Sequence, residues 1–455
     1  MPSLPLFEPP TVIPPDPPYG PWRGALVLAR NPVEWWPRRL YEGESVTFSR
    51  GSRRFLIVTD PADAETVLLD RADCFARSFL TRLTLGPALG EGLLTSDGDL
   101  WRSQRRLAAP AFSPRSIADL LPTMNRAAED AASRLAHRSG RIDAMQEMVR
   151  TTFDIILETT LGPDAGRIDR DAAARDVGVY LETVGNPDVL DILGFMTWLP
   201  RPWKWAGYRA AGRMRDDIAA VVAARRARPA DGRADLLAQL LAEADPDTGA
   251  AMAESSVVDN LLTFIAAGHE TTALALTWTI SILARLPDLQ DALAKEAESV
   301  LGGGPVGPAD IDRLDLHRRV LQESMRLYPP APLIVRDVIA DVEVGGHRLG
   351  PGDHVSIAVY PMQRSRTIWE EPNAFDPDRF LPDRASGRHR FAWLPFGGGP
   401  RICIGMGFAM AEAVTVLATL SRRVWFSAVD DHEIAPVQRV TLRPKGGMPV
   451  EVRRR

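Results

Sequence analysis

One of the two cysteines in this chain, Cys403, stands in the run FGGGPRICIG, Phe396 to Gly405. The stretch after it, MGFAMAEAVTVLATL, has the apolar spacing of a helix, so the sulfur falls at or just before a helix start. Free backbone N–H groups and the helix dipole favour an anion there, and a thiolate is stabilised. The glycines upstream permit tight turns and close backbone approach. The chemistry on offer is that of a thiolate bound to a metal. A second constellation is Glu270 and Thr271, acid beside alcohol in AAGHETT, within an otherwise apolar stretch. Burying a carboxylate is costly unless it is partnered or used. Thr271 could equally bond back to a carbonyl one turn earlier, with Glu270 only ion-paired. His269, between Gly268 and Glu270, reads as a packing or hydrogen-bonding residue. A third pair, Glu323 and Arg326, is spaced by three and so shares one helical face.

These residues need elements to hold them. The most apolar segment, Val257 to Leu286, reads as the central helix of a large protein. Its Ser256-Val-Val-Asp259 fits a capping box, Arg285 its last turn and Pro287 its stop. Its uninterrupted part, Ala273 to Ala284, is shorter than the ~20 residues that a bilayer requires. From Pro61 to about Thr272 the pattern is mostly helical, with strand signals near both ends of the chain. SVTFS and FLIVTD suggest a hairpin, VEVGGHRLGPGDHVSIAVY strands around a Gly-Gly turn, and VTLRPKGGMPVEVRR another hairpin. The first 22 residues are a proline-rich lead-in, expected to lie extended on the surface; residues 23–455 read as a single domain, helix-rich over about 61–328.

Composition narrows the class. The chain has 455 residues, 45% hydrophobic, and a formal net charge of -5, which argues against nucleic-acid binding. Two cysteines, Cys74 and Cys403, make no disulfide framework and suggest a reducing compartment. Cys74 reads as structural. The N-terminus lacks a basic region followed by an apolar run, so no secretory signal is expected.

Phe396, Gly399, Arg401, Cys403 and Gly405 fit Phe-x-x-Gly-x-Arg-x-Cys-x-Gly, and the chain thereby resembles the cytochrome P-450 superfamily of haem-thiolate monooxygenases. Four further motifs agree in order and spacing. They are WRSQR with Trp101 and Arg105, AAGHETT, ESMR, and PDRF with Asp378 in place of the usual glutamate. The resemblance implies a mainly α fold with small β-sheets, shaped like a triangular prism. Haem b would lie between the long central helix and the cysteine-bearing helix. Cys403 would be the iron ligand, in the setting of Phe396, Gly405, Ala267 and Gly268. The absence of a Cys-x-x-Cys-His run implies non-covalent haem. Trp101, Arg105, Arg336 and Arg401 would hold its propionates, and Glu323, Arg326 and Arg379 would form a structural triad. Glu270 and Thr271 would relay protons, with Gly268 leaving an opening for O2 and water.

The resemblance also implies a hydrophobic small-molecule substrate lined by FARSFLTRLTLGPALGEGLLTS and VLDILGFMTWLPRPWKW, and a monomeric, soluble, cytoplasmic enzyme. A separate ferredoxin or flavodoxin with its reductase would supply electrons, steered by Arg102, Arg106 and Arg115. Rival readings are a peroxide-driven peroxygenase and a non-enzymatic haem sensor or carrier; the acid–alcohol pair argues for O2 chemistry.

Overall fold

The computed structural model describes residues 7–51, 53–185, 201–228, 235–245 and 249–455. Helices dominate, and among the described residues four small sheets flank them. The organising element is a helix of 30 residues, Glu254–Leu283, buried along most of its length. A helix apolar on nearly every side must be enclosed by others. The helix Ala144–Leu161 packs closely along it. A Cβ on Gly268 would meet Ile156 Cδ1 at 2.8 Å, so glycine lets this neighbour approach. Thr152 Oγ1 donates to the His269 carbonyl at 2.6 Å across the same contact. Further along, the Trp278 ring stacks on Tyr328 at 3.9 Å, and its Nε1 donates to the Leu442 carbonyl at 3.0 Å.

The ends of the long helix differ from the sequence expectation. Its N-cap is Ala253, so Ser256 lies inside the first turn and no capping box forms. The Asp259 carboxylate instead accepts from Arg215 at 2.6 Å and from the Glu91 backbone N–H at 2.9 Å. A buried carboxylate does better with a cation than as a cap. Arg285 lies just past the last turn and donates to the Ser281 carbonyl at 3.1 Å. Pro287 opens the next helix, Pro287–Leu301, where its missing N–H costs nothing.

The largest sheet has the order β1-β2-β8-β5-β3. Here β1 is Val46–Arg50, β2 Arg53–Val58, β3 Phe75–Arg77, β5 Ile334–Val338 and β8 His354–Ile357. The first hairpin forms as expected, with Val46 opposite Ile57. So does the small ribbon of β6, Val342–Val344, with β7, His347–Leu349. The C-terminal hairpin does not form. Strand β11, Leu442–Pro444, pairs with β10, Pro436–Gln438, while β12, Pro449–Arg454, lies between β4, Gly140–Asp143, and β9, Val424–Ala428. The lead-in is more than a surface strand. Phe7 bridges Phe375, the Tyr328 hydroxyl donates to the Pro10 carbonyl, and Thr11 Oγ1 lies 3.2 Å from Tyr360 Oη. Among the described residues no helix is long and apolar enough to cross a membrane.

Candidate active site

The loop from Phe396 to Gly405 folds back on itself, with the Cys403 N–H donating to the Phe396 carbonyl at 2.9 Å. Its glycines are dictated by geometry. Gly397 and Gly399 have φ of +69° and +66°, and a Cβ on Gly399 would run into the Leu68 carbonyl. The helix Met406–Arg423 follows, so Cys403 lies three residues before its first turn. Protein atoms crowd the thiol, yet its surface is exposed: it opens onto a recess inside the protein. Burial pushes the thiol up, while the Gly405 N–H and the Arg105 charge oppose this. Arg105 is anchored beside it by a bond to the Ile402 carbonyl at 2.9 Å.

The far wall of the recess is the long helix. In the middle of that buried rod Ala267 is exposed, and Ala266, Gly268 and Thr271 are partly so. Residues 267 and 271 are one turn apart and share a face. Contacts connect the two walls: Gly405 borders Phe112, whose ring meets Phe264 edge-on at 5.1 Å, one turn before Ala267. Thr271 Oγ1 donates back to the Ala267 carbonyl at 2.8 Å. Glu270 points the other way and is buried. Arg443 Nε and Thr441 Oγ1 both donate to its Oε1, at 2.5 and 2.7 Å. His269 is a packing residue, its Nδ1 2.9 Å from the Ile265 carbonyl and its ring edge-on to Phe153.

At the edge of the recess Arg77, Arg336 and Arg401 gather near the Asp97 carboxylate, which also pairs with Arg82 at 2.8 Å. Arg77 and Arg336 are register partners in β3 and β5. Arg401 is paired with Asp97 and lies over the Trp101 ring at 4.2 Å. Burial, followed by the mutual repulsion of these cations, depresses Arg77 far below the usual arginine range and Arg336 to about 10. Arg77 Nε, though buried, has no hydrogen-bond partner. Guanidinium groups outnumber the carboxylate here, an arrangement suited to an incoming dianion, which is what the two propionates of a haem present. The donor set, the recess and the excess charge fit haem b. Arg77 and Asp97 are absent from the motifs; only the sheet register brings Arg77 beside Arg336.

Further from the recess, Glu323 takes both Arg326 Nε and Nη2 at 2.7 Å, and Arg379 Nε at 3.3 Å. Arg326 spends its remaining donors on the carbonyls of Gln363, Pro372 and Ala374. Cys74 is buried within 3.2 Å of an Arg71 nitrogen, away from these groups. Of the two stretches expected to line a substrate pocket, residues 75–96 border the long helix through Glu91 and Leu93. Residues 189–200 of the other lie outside the described residues.

A cysteine sulfur beside Arg105, opening onto a recess with positive charge at its rim, fits a haem-thiolate protein. The family model described as Cytochrome P450 matches residues 14–449, and the chain belongs to that family. It is 33% identical over 423 residues to cyclooctatin synthase of Streptomyces melanosporofaciens, covering 92% of this chain and 90% of that protein. To human cytochrome P450 4V2 it is 28% identical, covering 82% and 75%. The cytochrome P450DA heme domain superposes with a TM-score of 0.83 at 24% identity, covering 99% and 98% of the two chains. Retinoic acid-bound cyanobacterial CYP120A1 gives 0.79 at 23%, covering 90% and 92%. The protein is therefore an oxidoreductase of the monooxygenase class with haem b as its cofactor.

Proposed function

We propose that the protein hydroxylates a C–H bond of a hydrophobic substrate with one oxygen atom of O2, drawing electrons from a separate ferredoxin or flavodoxin. The observation that carries this reading is the recess itself, with the Cys403 thiol on one wall and the Ala267–Thr271 face on the other. When bound, haem b supplies the reductive activation of dioxygen. The chain's own residues supply the rest. Cys403 gives a thiolate, which the Gly405 N–H and the Arg105 charge favour against the cost of burial. Arg77, Arg336 and Arg401 hold the two carboxylates. Thr271 is the hydroxyl on the recess face; rotation about χ1 exchanges its bond to the Ala267 carbonyl for one directed into the recess. Glu270, held on the opposite side by the partly exposed Arg443, turns from that bond towards the recess face to hand on protons from solvent. Ala266 and Ala267 leave the remainder of this face apolar, which suits a hydrophobic substrate.

The test is spectroscopic and then kinetic. The reduced protein under carbon monoxide should show the long-wavelength Soret band of thiolate ligation, and Cys403→Ala should lose it. NADH with redox proteins should drive product formation far better than peroxide does. Turnover by peroxide alone would favour the peroxygenase reading instead.

A further inference from the structure

The helix that follows Cys403 carries a carboxyl that the mechanism above does not use. Glu412 is fully buried, and neither of its oxygens has a hydrogen-bond partner of good geometry. No cation among the described residues acts on it; its one counterweight to burial is the hydroxyl of Thr272 across on the long helix. Burial without a facing cation pushes this carboxyl well above the usual carboxylate range, which favours its neutral form.

Thr272 is unusual among its neighbours. The long helix has five threonines, and Thr263, Thr271, Thr277 and Thr279 each bond back to the carbonyl one turn earlier. Thr272 makes no such bond. On the cysteine helix the same contrast holds: Thr419 bonds back to the Thr415 carbonyl at 2.8 Å, while the Thr415 hydroxyl is buried without a partner. Thr415 lies three residues from Glu412, on the same helical face. A neutral carboxylic acid offers one donor and further acceptor sites, and each hydroxyl offers a donor and two acceptors. The three can satisfy one another, and nothing else in the described structure does so.

We propose that Glu412, as a neutral acid, is a positioning residue that couples the cysteine helix to the long helix through Thr272, and so fixes Thr271 relative to Cys403. This rests on the haem-thiolate reading, since it assigns what those two helices must hold in register. Glu412→Gln keeps a neutral donor and acceptor of the same size. It should retain the wild-type carbon monoxide band and product yield per electron. Glu412→Leu keeps the volume but removes the bonds. It should fold, because the two freed hydroxyls can bond back to carbonyls one turn earlier, as the other threonines of these helices do. Yet it should divert electrons to peroxide. The loss of product per electron should lie between roughly threefold and the ~100-fold that a misplacement of order 1 Å can cause.

Infrared spectra of the wild type should contain a protonated-carboxyl stretch that Glu412→Gln lacks; this readout survives even if Glu412→Leu fails to fold. The proposal is overturned if Glu412→Gln behaves like Glu412→Leu, if Glu412→Leu matches wild type in coupling, or if the infrared difference is absent. Loss of the thiolate band from the wild type would instead sink the haem-thiolate reading on which it rests.

Discussion

At the scale of single residues the electrostatics of the recess rim make the sharpest claim. Arg77, Arg336 and Arg401 crowd one another, and the single Asp97 carboxylate, shared with Arg82, offsets their charges only in part. Arg77→Met should therefore act with opposite signs in the two forms of the protein. Without haem it removes a desolvated, repelled cation, and thermal stability should hold or rise. With haem it removes charge-assisted bonds to a carboxylate, worth about 1.5–3 kcal/mol, and retention should weaken about 10- to 100-fold in a haem-transfer assay. Equal destabilisation of both forms would refute the assignment. Thr271→Ala should keep haem and substrate binding while electrons drain to peroxide, because the hydroxyl on the recess face is gone; unchanged product per electron would remove Thr271 from proton delivery. The contrast between Arg401 and Arg77 shows what a sequence exposes. Arg401 belongs to a contiguous motif around Cys403, whose spacing is local and readable. Arg77 reaches the site through strand pairing with a residue 259 positions away, Arg77 opposite Arg336, and no local pattern marks it.

At the scale of elements, two buried polar joints hold the helices around the site. The Glu323–Arg326 pair is fully buried and Arg379 nearly so, and bonds to five backbone groups surround them. Glu323→Gln leaves Arg326 charged and uncompensated, and should cost about 3–5 kcal/mol in chemical denaturation. The other joint is His317, whose Nδ1 lies 2.7 Å from Glu296 and whose Nε2 lies 3.2 Å from the Ser421 hydroxyl. Burial holds this histidine below the ordinary 6.5, against the opposing pull of Glu296 and with a small push from Arg422. The unfolded chain then binds the proton more readily than the folded one. Stability is complete above about pH 6.5 and drains away as pH falls towards the lower folded value. His317→Asn should flatten that acid limb in denaturation curves from pH 8 to 5; an unaltered slope would exclude His317 as its source. Here too locality separates what is legible. The β1–β2 and β6–β7 hairpins close over tight turns and were readable, whereas β12 is claimed by β4 and β9 rather than by the strand just before it. The false capping box has the same cause: Asp259 is drawn to Arg215, 44 residues away.

At the scale of the whole molecule the question is how a protein of negative net charge would receive electrons from the acidic ferredoxin or flavodoxin proposed above. The net charge of -5 repels such a partner at long range. Residues 98–115 run the other way, with Arg102, Arg105, Arg106 and Arg115 against Asp99 alone. Arg105 bonds to the Ile402 carbonyl, so the helix Gly98–Ala108 lies against the cysteine loop, and a donor seated there is near the thiolate. The structure also weakens this patch relative to its sequence. Arg102 is paired with Asp99 at 2.5 Å and Arg106 with Asp245 at 3.1 Å, while Arg105 is spent on the loop. Arg115, exposed at the start of the helix Pro114–Ala136, should then contribute disproportionately to steering. Reduction by a ferredoxin or flavodoxin, timed by carbon monoxide trapping, should be fastest at low salt. It should slow as ionic strength passes about 0.1 M, where the screening length falls to about 10 Å. Arg115→Glu should slow it several-fold at low salt and scarcely at high salt, with the haem spectrum unchanged. A rate that rises with salt would mean that the repulsion of the whole molecule outweighs the patch, and that the donor docks elsewhere or by apolar contact.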